Sequence, residues 1–156
     1  MDPITIRKAS LSDLETLLSF EQGVISAERP FDSTLKNDPI LYYDIEEMIL
    51  SPGVEIIVAE SDSEIIGSGY ARIVNSQPFL KHQRHAYLGF MYVVPDHRGK
   101  GVVRKIIDAL EQWSISQNIT EMRLEVYDNN LAAIKAYEKA GFTRHILEMR
   151  MGLKET

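Results

Sequence analysis

The chain has 156 residues, 44% hydrophobic and 26% charged, a size and composition that suit one globular domain, residues 1–156, with a sizeable core. It has no cysteine, which excludes disulfides, thiolate metal sites and a cysteine nucleophile and fits a cytoplasmic setting. A net charge of −6 argues against general nucleic-acid affinity, no apolar run approaches the ~20 residues that span a bilayer, and the opening Met1-Asp2-Pro3-Ile4 lacks the shape of a signal peptide.

Residues 3–8 alternate as a short strand. Leu11, Leu14, Leu17 and Leu18 follow Ser10 and Ser12 at helical spacing and predict a first helix. Residues 26–37, broken by Pro30, predict a loop, and Asp38 to Leu50 a second helix stopped by Ser51-Pro52-Gly53. Val54 to Glu60 predicts an apolar strand, Ser61-Asp62-Ser63 a hairpin turn, and Ile65 to Val74 the partner strand. A polar loop over 75–84 leads to a strand from His85 to Val94. From Val102 to about Asn118, Val103, Ile106, Ile107, Leu110 and Trp113 make a helical stripe. Residues 122–127 predict a strand, Asp128-Asn129-Asn130 a helix start, Leu131 to Ala140 a helix with Gly141 as its stop, and Thr143 to Leu153 a last strand. The order β-α-α-β-β-β-α-β-α-β predicts an α+β sheet with helices on both faces.

The most informative stretch is Val93-Val94-Pro95-Asp96-His97-Arg98-Gly99-Lys100-Gly101-Val102-Val103. It predicts a strand end, a basic glycine turn and a helix start. The first turn of a helix has backbone N–H groups without intrahelical partners and a partial positive charge. Gly99 and Gly101 permit close backbone approach, and Arg98 and Lys100 add formal charge. The natural guest is a phosphate or pyrophosphate; the plainer alternative is an ordinary strand-to-helix loop. The stretch is neither a P-loop nor a dinucleotide fingerprint, because the glycine spacing fits neither.

Arg98-Gly99-Lys100-Gly101, followed by Asn130-x-x-Ala133-x-x-x-Tyr137-x-x-x-Gly141-Phe142, resembles the GNAT family of N-acetyltransferases over nearly the whole chain. The resemblance implies a mixed, mostly antiparallel central sheet with helices on both faces and a splayed parallel strand pair, formed by the segments 85–94 and 122–127. It implies acetyl-CoA as co-substrate, with no metal. The pantetheine arm would enter the splay, and a bulge in the first of the two strands, with Gly89 and Met91, Tyr92 and Val93 as candidates, would free backbone groups for it. Arg98, Gly99, Lys100, Gly101, Val102 and Val103 would take the pyrophosphate. Val103 departs from the family pattern, which has a small residue there.

Acetyl transfer needs a positioned thioester, a neutral amine, a donor for the carbonyl oxygen and a proton for the leaving thiolate. The resemblance gives Tyr137 the last role; without it, Tyr137 reads as a core aromatic on an amphipathic helix. Asn130 is a cofactor contact, a helix N-cap, or both. Glu125, between Leu124 and Val126, is either a carboxylate tucked among apolar neighbours that serves as general base, as in the family branch that acetylates protein N-termini, or a residue that strand alternation turns away from the cleft. In the second case water or the Tyr92 hydroxyl would relay the proton.

His82 and His85 lack a completing carboxylate or thiol and read as surface residues, while His97 adjoins the phosphate turn. Residues 21–50 hold seven acids and two bases, a net −5, which suits either a field for a cationic acceptor or a solvated face. The expected partner is a small-molecule amine or a peptide N-terminus, with no nucleic acid and no membrane, and dimers are common in the family. A non-catalytic acyl-CoA-binding module and transfer of another acyl group remain alternatives.

Overall fold

Five strands lie side by side in sequence order. β1 (Ile4–Lys8), β2 (Val54–Ser61), β3 (Glu64–Asn75) and β4 (Arg84–Val93) pair antiparallel, and β5 (Met122–Leu124) joins β4 in parallel. The computed structural model describes residues 3–154, which fall into two compact units, one ending at Glu125 and one beginning at Val126. The sheet belongs to the first unit. Its β2–β3 hairpin turns at Asp62 (φ 51°) and Ser63 (φ 63°), the paired positive-φ geometry that matches strand twist.

α1 (Leu14–Glu28) buries Leu17, Phe20, Val24 and Ile25, the continuation of the leucine stripe seen in the sequence. With Ile45 of α2 (Ile45–Leu50), Leu17, Phe20 and Val24 pack on Ile56, Val58, Tyr70 and Phe90, the side chains that β2, β3 and β4 direct to one face of the sheet. α3 (Val102–Ser116) buries Val102, Ile106, Ile107 and Leu110 against the other face. It comes close there because β3 has no side chain at Gly69, where a Cβ would lie 2.8 Å from Cγ2 of Ile106. Each fully buried aliphatic side chain contributes about 1.5–3 kcal/mol. Among the described residues no helix is long and apolar enough to cross a membrane.

Two buried carboxylates fix how the chain enters and leaves α1. Asp13 takes a two-pronged grip from Arg7 of β1 (2.8 and 3.0 Å) and accepts from the Ser10 N–H at 2.8 Å. Glu21 is fully buried, and its Oε2 accepts from the backbone N–H groups of Tyr42 (2.8 Å) and Tyr43 (2.7 Å). This corrects the expected second helix, which starts at Ile45 and not at Asp38. The N–H groups of Tyr42 and Tyr43 are drawn to Glu21, and Asp44 is the N-cap, accepting from the Glu47 N–H at 3.2 Å.

The second unit holds α4 (Leu131–Lys139). The expected last strand, Thr143 to Leu153, does not form among the described residues. Its unit offers no second strand, and a lone strand leaves its N–H and C=O groups without ladder partners. The strand expected over 122–127 stops at Leu124.

The Arg7 hydrogen bonds hold the Asp13 carboxyl below the usual aspartate range, against an opposing push from burial. A depressed folded-state pKa means that the unfolded chain binds the proton more readily. The stabilisation is therefore complete above the unfolded value, about 3.9, and is lost as pH falls below it. Urea denaturation should show the midpoint dropping between pH 5 and pH 3, with a shallower drop in Asp13→Asn. An equal drop in the two proteins would contradict the assignment.

Candidate active site

β4 carries the site's backbone. Ser68 of β3 pairs with Tyr92 and Tyr70 pairs with Gly89, so β4 has one residue more than β3 in this interval and bulges at Phe90 and Met91. Phe90 sits at φ 59°, a conformation that a bulky residue adopts only when its surroundings hold it there. They do: its ring is buried in the core under α1, and its carbonyl accepts from the buried Ser68 hydroxyl at 3.0 Å. On its other edge β4 pairs with β5 only from Ala86 to Leu88, yet it runs on to Val93. The β5 ladder thus stops where the bulge begins. Of the residues expected to line this edge, Gly89, Met91 and Tyr92 are half-buried and Val93 is buried. Phe90 and Ser68 were not foreseen, because a phenylalanine in an aromatic strand and a serine in its partner carry no sequence mark of a bulge.

Val93 leads through a short helical turn, Pro95–His97, into the glycine turn. Gly99 (φ 75°) and Gly101 (φ 80°) are left-handed and exposed, with nothing within 4 Å of where a side chain would stand. Gly101 is the N-cap of α3, so Val102 and Val103 stand in its opening turn. Such a turn presents N–H groups to open space, with the Arg98 and Lys100 side chains exposed beside it, and it fits a pyrophosphate. Val103 is half-buried and leaves that space open.

Arg98 also buttresses the turn. Its Nε donates to the Val93 carbonyl at 2.8 Å and its guanidinium lies 5.6 Å from the centre of the Tyr92 ring. The Tyr92 ring in turn lies 4.8 Å from that of Phe20, and Gly23 on α1 leaves it room: a Cβ there would come within 2.5 Å of Tyr92. Arginine has five N–H donors, so the bond through Nε leaves the terminal nitrogens available to an anion.

Glu125 follows directly on β5. Of the two placements left open by the sequence, the structure shows the exposed one: Glu125 is not tucked among apolar groups, and β5 ends at Leu124. Its Oε1 accepts from the Tyr87 hydroxyl at 3.2 Å. Burial, and then the Glu125 charge, push the Tyr87 phenol well above the usual tyrosine range, so it remains a donor.

Within the second unit, Asn130 is an N-cap, its Oδ1 accepting from the Ala133 N–H at 3.3 Å. Tyr137 is half-buried near the other end of α4. The Gly141 N–H bonds the Glu138 carbonyl and the Phe142 N–H bonds the Tyr137 carbonyl, both at 3.0 Å, with Gly141 at φ 111°. That is a Schellman stop, and the Tyr137 and Phe142 rings, 6.1 Å apart, supply its apolar contact. The Asn-to-Gly-Phe motif therefore encodes a helix with both ends fixed.

Among the described residues no three potential ligands gather as a metal site. His85, expected at the surface, is buried, with Nδ1 2.8 Å from the Ser76 hydroxyl, and burial lowers its pKa. His97 lies in the turn before Arg98, and its Nδ1 is buried without a hydrogen-bond partner among the described residues. Much of the acidic segment has internal work. Glu21 holds Tyr42 and Tyr43, Asp32 accepts from Thr34, Asp38 pairs with Arg29, and Asp44 caps α2.

The family model described as "Acetyltransferase (GNAT) family" matches residues 21–142. The chain belongs to that family. Streptothricin acetyltransferase of Escherichia coli is 26% identical over 107 residues, which cover 65% of this chain and 62% of that protein. Thialysine N-epsilon-acetyltransferase of Mus musculus is 28% identical over 147 residues, 87% of this chain and 82% of that one. Among solved structures, a predicted acetyltransferase from Clostridium acetobutylicum with acetyl-CoA superposes with a TM-score of 0.73 at 21% identity, covering 96% of each chain. At this identity the superposition shows the shared GNAT fold: an α+β architecture whose mixed sheet pairs β4 and β5 in parallel.

Ser68→Ala strips the hydroxyl from the buried Phe90 carbonyl and should cost about 1–3 kcal/mol. Urea denaturation with an unchanged m-value would read this as a lower midpoint. A loss under about 0.5 kcal/mol, below the usual net worth of one hydrogen bond, would contradict the role given to Ser68.

Proposed function

We propose that this GNAT member is an acetyl-CoA-dependent N-acetyltransferase that moves an acetyl group to a primary amine by direct attack in a ternary complex. The supporting observation is the left-handed glycine turn at the start of α3, standing at the end of a β4 edge that bulges and loses its partner strand. The family match across residues 21–142 supports treating both units as one acetyltransferase domain. Relatives named for streptothricin and thialysine support an amine acceptor.

In this proposal the pyrophosphate is held by Arg98, Lys100 and the backbone of Gly99, Gly101, Val102 and Val103. The pantetheine amides pair with the β4 edge at Met91, Tyr92 and Val93 and extend it as a strand would. The acceptor nitrogen attacks the thioester carbonyl, a C–N bond forms, and the C–S bond breaks as the carbonyl re-forms. The proton lost by the amine goes to the Glu125 carboxylate, which is exposed enough to pass it to water. The leaving thiolate receives a hydrogen bond from Tyr137, the role its place in the motif implies, and Asn130 holds the start of α4. With no cysteine in the chain, no cysteinyl intermediate forms.

The test is thiol release from acetyl-CoA across a panel of amines, with acetyl-CoA binding measured in parallel. Arg98→Ala should weaken acetyl-CoA binding roughly tenfold, the scale of one charge-assisted hydrogen bond. Tyr137→Phe should lower kcat by about tenfold or more with acetyl-CoA affinity nearly intact. Normal acetyl-CoA affinity in the first variant, or lost affinity with normal turnover in the second, would overturn the assigned roles. Acceptor-independent binding without release would replace transfer by acyl-CoA sensing.

A further inference from the structure

The sheet face under α1 carries an assembly of rings and opposite charges that the proposed mechanism uses only at Glu125. Register puts Arg72 of β3 opposite Tyr87 of β4, and Tyr70 opposite Gly89. Gly89 has no side chain to obstruct the Tyr70 ring: a Cβ there would come within 2.7 Å of the Tyr70 Cζ and hydroxyl. Tyr70 therefore lies across β4 beside Tyr87. Glu125 is the residue after the last β4–β5 pair, Leu88–Leu124.

Tyr87 is the centre of the assembly. The guanidinium carbon of Arg72 lies 5.1 Å from its ring centre, and its hydroxyl reaches Glu125 Oε1 at 3.2 Å. One aromatic ring thus separates a cation from an anion. The Arg72 charge also acts on the neighbouring Tyr70 phenol, opposing the upward push of burial on it. These neutral neighbours do not cancel the guanidinium charge. Arg7, Arg29 and Arg123 each face a carboxylate, whereas Arg72 is exposed and makes no ion pair among the described residues. Its planar fork, with N–H donors to spare, is the shape that grips a carboxylate in two places. Glu125 spends one oxygen on Tyr87 and retains acceptor capacity for an ammonium.

We infer that the acceptor is an amino acid, its carboxylate held by Arg72 and its ammonium on the Glu125 side of the Tyr87 ring. Two charge-assisted hydrogen bonds of ~2.8 Å, one at each end of the zwitterion, bridge the ring. A polyamine would have to place one of its cations against Arg72, and like charges at close quarters select against it. Of the acids of residues 21–50, Asp38 is paired with Arg29, and none forms an ion pair with Arg72 among the described residues. The inference rests on the acetyl-transfer reading for naming this ligand an acceptor; the binding chemistry stands on Arg72, Tyr87 and Glu125.

Calorimetry on the CoA-saturated protein tests it with two matched pairs, lysine against 1,5-diaminopentane and phenylalanine against 2-phenylethylamine. Each pair differs by one carboxyl group. At least one amino acid should bind about tenfold or more tightly than its amine, the scale of one charge-assisted hydrogen bond. Arg72→Gln should collapse that ratio toward one, and Arg72→Lys, which keeps the charge and loses the fork, should restore part of it. Arg72 is exposed, and far-UV circular dichroism with a urea midpoint verifies the fold of both variants. Failure of both amino acids to bind, equal affinity within both pairs, or an Arg72→Gln loss shared equally by acid and amine would each overturn the inference. If these fail while acetyl transfer to amines proceeds, the amino-acid assignment falls alone. If the carboxylate preference is present and no acceptor releases thiol, the transferase reading falls alone.

Discussion

The site depends on the unequal pairing of one strand. β4 is paired to β3 on both sides of its bulge, from Arg84 to Gly89 and at Tyr92 and Val93, and to β5 over only three residue pairs, Ala86 to Leu88. A sheet normally consumes every backbone donor and acceptor of an interior strand. Here the partner on one side stops where the strand acquires an extra residue. The same geometry that leaves β4 with an open edge aims its end, Val93, into the glycine turn that starts α3. The cost is borne locally, by a phenylalanine at positive φ whose ring is anchored in the core and whose carbonyl is held by Ser68.

Other features steady this edge from either face. Gly69 admits α3 against the sheet, and Gly23 admits the Tyr92 ring against α1. Phe20, Tyr92 and Arg98 form a chain of contacts from the first helix to the glycine turn, so the turn is braced from the core. Glu21, buried in the same helix, pins Tyr42 and Tyr43, and the Tyr43 ring meets Tyr70 and Phe90 at 5.5 and 5.2 Å. A carboxylate in a helix thereby shapes the aromatic face on which an acceptor would lie.

Much of this was legible in the sequence because it rests on local rules. Apolar spacing gave α3, paired turn residues gave the hairpin, and glycines at Gly99 and Gly101 marked a turn that needs positive φ. Asn130 and Gly141 read correctly as the ends of α4. What was not legible depends on partners distant in sequence. The family resemblance implied a bulge in β4 near Gly89 and Met91, but its anchors, Ser68 and Phe90, carry no sequence mark. The late start of α2 depends on Glu21, some twenty residues earlier. The strand expected over Thr143 to Leu153 has the right alternation, but alternation does not supply a pairing partner. For Glu125 the sequence left two placements open, among its apolar neighbours or turned away by strand alternation, and the structure shows it exposed just past the end of β5. Arg72, between Ala71 and Ile73, gave no signal until the register placed it over Tyr87.

The most direct measurement is a backbone amide NMR titration with acetyl-CoA. The account predicts that the largest shifts fall on Gly99 to Arg104 at the start of α3 and on Gly89 to Val93 of β4, saturating together. Saturable binding that leaves both stretches unmoved, or shifts confined to β1 and β2, would contradict it.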